Sequence, residues 1–246
     1  MDLVSIIIPY FKKRDFFLLS IESILKQTFQ SFEIIVIYDD TDLSDLSYIL
    51  EKQKLDKRIK VIKNKNNLGA GLSRNKGILN SNGNYIAFLD SDDLWYPEKL
   101  EKQLSFMKDN KISFSFTSYE IINRVGKFIK YKKALKKITY NSLLLDCNIG
   151  LSTVILKKNL LNDNCKFPNL KTKEDFVLWL KISEKTELYG MDIPLSQWRK
   201  LNNSLSSNPF QKLIDGFVVY NKYMKFSFIK SIYLLLILSL NFLKKV

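Results

Sequence analysis

The sequence predicts an α/β protein built on a mostly parallel sheet flanked by helices. Short apolar runs of strand character alternate with helical periodicities through the first part of the chain. One run, residues 85–89, is apolar throughout, as in a strand buried on both faces. A content of 46% hydrophobic and 13% aromatic residues over 246 positions is ample for a core. Alternating strand–helix units imply parallel strands joined by right-handed crossovers.

Taken in order, LVSIII gives a strand over 4–8, closed by Pro9. A helix follows over 16–27, with Asp15 as N-cap and Phe17, Ile21, Ile24 and Leu25 at helical spacing. EIIVIY, residues 33–38, is the second strand and ends at Asp39 and Asp40. Leu43, Leu46, Ile49 and Leu50 draw an amphipathic helix over 43–55. Residues 59–63 form a short third strand, 64–71 a polar loop containing glycine, and 72–79 a helix leading to the strand at 85–89. From Pro97 the pattern changes. Pro97 suits the first turn of a helix whose stripe is Leu100, Leu104 and Met107. Strand-like runs near 112–122 and 151–156 are separated by a basic region and a short helix over 140–145. FVLWLKIS, after Glu174 and Asp175, is again helix-like. The segment SIYLLLILSLNFL, residues 231–243, is almost wholly apolar and bracketed by Lys230, Lys244 and Lys245. A helix of that length spans about 20 Å, short of the ~30 Å hydrocarbon core. Two readings stay open for it: a helix lying in an anionic membrane interface, or one packed on the protein's own core or a partner chain.

Composition excludes several classes. With no histidine, a Ser–His–Asp triad and a His-ligated zinc site are ruled out. Cys147 and Cys165 lack CxxC spacing and read as free, partly buried thiols in a reducing cytoplasm. The chain opens directly into a strand, without a signal-peptide pattern. A net charge of +14 favours an anionic partner. The basic residues are scattered, and neither an RNA-binding aromatic signature nor zinc-finger spacing is present, so nucleic acid is not expected as the ligand.

The chemistry concentrates at YIAFLDSDD, where an apolar strand ends in Asp90, Ser91, Asp92 and Asp93. Ionised carboxylates at the tip of a core strand need a cation. Hard divalent ions, which prefer carboxylates, water and substrate phosphates, suit them. In open α/β sheets ligands bind beyond the carboxyl ends of the strands, which points to a metal–diphosphate site. The same edge collects Pro9 and Tyr10, Asp39 and Asp40, and the loop carrying Asn67, Gly69, Arg74 and Asn75. Arg74 is the residue type that grips phosphate bidentately. Alone, Asp39 and Asp40 would read as turn chemistry and helix capping; beside the acidic cluster the functional reading is favoured.

In order and spacing, IIIPYF, EIIVIYDD, NNLGAGLSRNKGI and GNYIAFLDSDD followed by LWYPEKLEKQ, with KEDFVLWLKI and WRKLNNSLSSN further on, resemble the family-2 glycosyltransferases of the GT-A fold. The resemblance runs from about residue 5 to 208 and is closest to bacterial enzymes that build surface glycans. It implies a Rossmann-like sheet and three parts: 1–96 binding the nucleotide sugar, 97–208 a mixed acceptor half, and 209–246 a C-terminal helical segment. It also implies inverting transfer from a nucleotide-sugar donor, a UDP-sugar first, to a glycan or lipid-linked acceptor. The expected location is the cytoplasm, peripheral on the inner face of the cytoplasmic membrane if the C-terminal helix lies in it. Pro9, Tyr10, Asp39 and Asp40 would hold the nucleotide and Arg74 would lie near the diphosphate. Asp90 and Asp92 would form the DxD pair for Mn²⁺ or Mg²⁺, with Asp92 the direct ligand and Asp93 assisting. Asp175, beside Glu174, would be the catalytic base. That last role also has a physical basis, because an inverting base must come from the half facing the metal across the sugar. Against it, Thr172-x-x-Asp175 resembles a helix-capping arrangement.

Two departures stand out. Trp198, Arg199, Lys200 and Leu201 put Leu201 where the family pattern often has a histidine, leaving Arg199 or Lys200 to supply charge. Ser73 replaces a frequent alanine. Trp179 and Trp198 are candidates to stack on a sugar, though Trp179 sits in a core-like apolar run. Two other readings remain: a metal-dependent nucleotidyl or phosphoryl transferase, which needs no base in the second half, and a non-catalytic membrane-associated scaffold.

Overall fold

The computed structural model describes residues 2–201 and 208–244. The last quoted motif therefore lies partly outside the described residues, as does Lys245. Ten strands form one mixed sheet. Val4–Tyr10 (β1), Phe32–Tyr38 (β2), Ile59–Lys63 (β3) and Tyr85–Phe88 (β4) make a parallel block in the order β3-β2-β1-β4. Arg14–Leu25 (α1), Leu46–Leu55 (α2) and Ala70–Leu79 (α3) are its crossovers. The sheet continues through Ile155–Lys157 (β9), Phe114–Ile122 (β6), Leu188–Arg199 (β10) and Leu94–Trp95 (β5). β9 runs antiparallel to both β4 and β6, while β6 and β10 are parallel. Phe128–Lys132 (β7) pairs with β6 and Lys137–Ile138 (β8) with β10.

Strand alternation divides the core between the two faces. Ile7, Ile86 and Phe88 point to a core shared with Tyr140–Leu145 (α5), Glu174–Ser183 (α6) and Phe228–Leu243 (α8). Val4, Ile6, Ile8 and Tyr10 point to the other, built with α1 and Lys99–Asp109 (α4). Helix α3 lies close on β1, and a Cβ at Gly77 would come within 2.5 Å of Ile7 Cγ2. Trp179 sits among Phe88, Phe114 and Phe167 and is wholly buried, so it is a core residue and not a sugar platform.

Several sequence expectations need correction. Pro9 does not end β1: it pairs with Ile37 on β2. Its missing N–H falls on the β4 side, beyond the last β1–β4 pair at Ile7 and Phe88, so no ladder bond is lost. The N-cap position of α1 is Lys13, without a side-chain cap, and Asp15 lies in the first turn. α2 begins at Leu46 because Asp42 caps its own turn through the Ser44 N–H. Pro97 precedes α4 by two residues, in a turn closed by Lys99 N–H to Tyr96 O. The run 151–156 is a 3₁₀ turn, Leu151–Thr153, followed by β9. The basic region carries β7 and β8. The long strand β10 has little apolar alternation, and its half-buried, bulged pairing with β6 hides it from periodicity.

Candidate active site

The carboxyl ends of β1, β2 and β4 meet at one rim, as parallel pairing requires. At the end of β2, Asp39 is buried and its carboxylate gathers the following loop. Oδ1 accepts from Asn64 Nδ2 at 2.7 Å and from Leu68 N at 2.8 Å, and Oδ2 accepts from Gly69 N at 2.8 Å. Gly69 takes φ +82°, a left-handed conformation natural for glycine. Ser73, the departure from alanine, accepts from the same Asn64 at 3.0 Å and so belongs to this network. Asp40 is also buried and holds its own turn through Asp42 N. Tyr10 is fully buried, stacked on Tyr38, and its hydroxyl donates to Asp45 at 2.5 Å.

Past β4, the acidic run divides into distinct roles. Asp90 stays one-third exposed and accepts from Arg74 Nη2 at 2.6 Å. Asp92 accepts from Lys13 Nζ at 2.5 Å. Burial raises its pKa, Lys13 opposes that rise, and Asp90 adds to it. Asp93 is buried with both oxygens engaged, Oδ2 by Ser152 Oγ at 2.6 Å and Oδ1 by Arg199 N at 2.9 Å. Its pKa is pushed well up by burial and then by Asp92 and Asp90. Asp93 thus ties the parallel block to β10. Arg199 completes that seam, donating from Nε to Asp92 O at 2.9 Å and from Nη1 to Arg124 O at 2.9 Å. Trp198 is half-buried on the same strand.

Arg74 reaches from α3 to both halves. Its Nη1 donates to Glu174 Oε1 at 2.8 Å while Nη2 holds Asp90. The guanidinium lies over the Phe167 ring at 5.4 Å. A fork shared between two carboxylates fixes their separation more rigidly than a point charge could. The first turn of α6 is thereby fastened to the carboxylate edge. Asp175 follows Glu174 in that turn and keeps partial exposure. Burial raises its pKa to about 7, neighbouring Glu174 adds to the rise, and Arg74 pulls the other way. Cys147 lies close by, its thiol pushed up to about 12 by burial and then by Asp175.

The Thr172-x-x-Asp175 capping expectation is corrected. Lys173 occupies the N-cap position at φ 62° with no side-chain cap. Thr172 is instead bound by Asp215 of Pro209–Val218 (α7), whose Oδ2 accepts from Thr172 N and Oγ1 at 2.9 Å each.

A cleft of about 500 Å³ is lined by Lys12, Phe16, Arg124, Lys200, Leu201 and Lys13, the ion-pair partner of Asp92. An adjoining one of about 450 Å³ includes Arg14, Asp40 and Asp45. The basic wall of the first cleft suits a polyphosphate, while the second mixes Lys12, Lys13, Arg14 and Arg124 with Asp15, Asp40, Asp42 and Asp45. Lys13, Arg124 and Ser152 were not singled out from the sequence; only the cluster Lys12, Lys13, Arg14 after the first strand hinted at the first of them. Among the described residues no three His, Cys, Asp or Glu side chains converge as a cation cage. Asp90 and Asp92 alone could hold a hard divalent ion, and both already attract cationic groups. Two carboxylates fit Mg²⁺ or Mn²⁺, which commonly take one or two from protein and complete their shell with water and substrate phosphates.

The glycosyl transferase family 2 model matches residues 5–168. The chain belongs to that family. WfgD of Escherichia coli, a UDP-Glc:α-D-GlcNAc-diphosphoundecaprenol β-1,3-glucosyltransferase, is 42% identical over 216 residues, covering 86% of this chain and 82% of its own. TuaG of Bacillus subtilis (strain 168), a glycosyltransferase named for teichuronic acid biosynthesis, is 34% identical over 245 residues, 99% of this chain and 97% of its own. Among solved structures, Staphylococcus aureus TarS 1–349 in complex with UDP-GlcNAc superposes with a TM-score of 0.75 at 21% identity, covering 96% of this chain and 70% of TarS 1–349. This family-2 glycosyltransferase therefore has the GT-A fold that its sequence predicted.

Proposed function

We propose that the protein transfers a sugar, with inversion, from a UDP-sugar to a hydroxyl of a glycan or lipid-linked acceptor in bacterial surface-glycan synthesis. The observation that carries this reading is the Arg74 fork, which ties Asp90 of the acidic run on one half to Glu174, the neighbour of Asp175, on the other. WfgD, named for a UDP-Glc donor and a lipid-diphosphate acceptor, supports the substrate classes, as does the UDP-GlcNAc bound by TarS.

In this reading, residues 1–96 bind most of the donor, Arg124 and Lys200 reach its diphosphate from the other half, and the rest of 97–208 binds the acceptor. Asp175 accepts the proton of the acceptor hydroxyl as its oxygen bonds to the anomeric carbon. The bond to the diphosphate breaks on the opposite face, and the nucleoside diphosphate leaves. A pKa near 7 suits a base working at neutral pH, since it is partly ionised there yet basic enough to take the proton. Asp40 lines the adjoining cleft, while Pro9 and the buried Tyr10 and Asp39 act from behind it by shaping that end of the sheet. Asp39 acts chiefly by ordering the 64–69 loop. Lys13, Arg124 and Lys200 give the diphosphate a positive wall where Leu201 supplies no ligand, and the buried Arg199 holds the seam behind it. Arg74 works as the strut between donor edge and base. Asp90 and Asp92 would hold Mn²⁺ or Mg²⁺, which when bound neutralises charge on the departing diphosphate.

Thermal melting against a panel of nucleotide sugars, with and without Mn²⁺, tests the donor assignment. UDP-sugars are expected to raise the melting temperature only with the ion present, and Asp92→Ala to remove that rise. An ion-independent rise, unchanged in Asp92→Ala, contradicts the metal-held donor.

A further inference from the structure

We infer that the outward face of α7 and α8 is a docking surface for an anionic lipid bilayer, on which the protein lies without crossing it. The two helices run antiparallel side by side. Phe217 stacks edge-on with Phe228 at 5.4 Å, and Lys212 Nζ lies 5.3 Å from the Phe242 ring. Inward, Ser231, Leu234 and Leu238 of α8 are buried against the core. Outward, Ile229, Ile232, Tyr233, Leu236, Leu240 and Leu243 form one stripe at helical spacing, with Ile229 80% and Leu236 58% exposed. α7 extends the patch through Phe210, Leu213 and Ile214, all exposed. So large an apolar face calls for a partner.

Charge decides which partner. Lys222, Lys225, Lys230 and Lys244 fringe the face and are exposed, and Lys212 is partly so. The one acidic residue between 208 and 244, Asp215, is buried and spent on Thr172. Two copies meeting through this face would set lysines against lysines, whereas anionic headgroups complement them. No described helix is long and apolar enough to cross a membrane. An apolar face with lysine edges is the form of a helix lying in the interface.

Co-sedimentation of the full chain with vesicles tests this. The protein is expected to pellet with phosphatidylglycerol-containing vesicles and not with pure phosphatidylcholine, and to be released by high salt. Ile229→Glu with Leu236→Glu, and separately Lys222→Glu with Lys230→Glu, should each lower partitioning at least about tenfold. Should the glutamate variants misfold, Tyr233→Trp provides a second readout, with emission expected to shift to the blue on adding anionic vesicles. Vesicle binding unchanged in both double variants, or no pelleting of the parent chain, overturns the proposal. So does a concentration-dependent dimer abolished by Ile229→Glu, which would give the face to a second copy.

Discussion

At the residue scale, Asp175 carries a signature that can be read without any substrate. Its folded pKa of about 7 lies above the ordinary 3.8. Between those values the folded state binds more protons than the unfolded, so this group's contribution to stability falls as pH rises through that window. Replacing it with asparagine removes the half-buried charge. Asp175→Asn should therefore melt higher than the parent at pH 8, with the gain largely gone at pH 4. Equal melting temperatures at both pH values would contradict the half-buried, charge-strained carboxylate. The sequence placed Asp175 on a helix start but could not tell a base from a capping acid, because that difference rests on Glu174, Arg74 and the enclosing walls. Asp93 and Asp92, adjacent in sequence, likewise differ only through partners far along the chain, Ser152 and Arg199 for one and Lys13 for the other.

At the element scale, the first turn of α6 is held from two sides, by the Arg74 fork and by Asp215 of α7 beneath Thr172. The second hold makes Asp215 a positioning residue for the proposed base. Asp215→Asn removes an acceptor and should lower kcat about tenfold, as small displacements of reacting groups do. Donor KM should stay near the parent value, and the acid limb of the pH profile should move away from 7. An unchanged kcat with an unchanged acid limb would make the contact merely structural. Elements with strong local patterns were legible: residues 59–63 and 140–145 match β3 and α5. β10 was not, since its register is set by bulged pairing with β6. Nor was the strand role of Pro9, which depends on where β4 stops.

At the scale of the whole molecule, one sheet carries both halves, and the apolar C-terminal hairpin is bolted through Asp215 to the loop before Asp175. The family resemblance was legible because its motifs fall at strand ends, where backbone topology alone brings them together. The lysine wall and the Arg74 strut were not, because they arise from contacts across the fold. The central claim is that the two halves divide the work, one gripping the donor and the other taking the acceptor's proton. Asp175→Asn, assayed for UDP-sugar affinity with Mn²⁺ and for turnover on the same preparation, tests it most directly. Donor affinity within about twofold of the parent and turnover lowered at least about a hundredfold are predicted. Near-parental turnover at intact affinity would contradict the account.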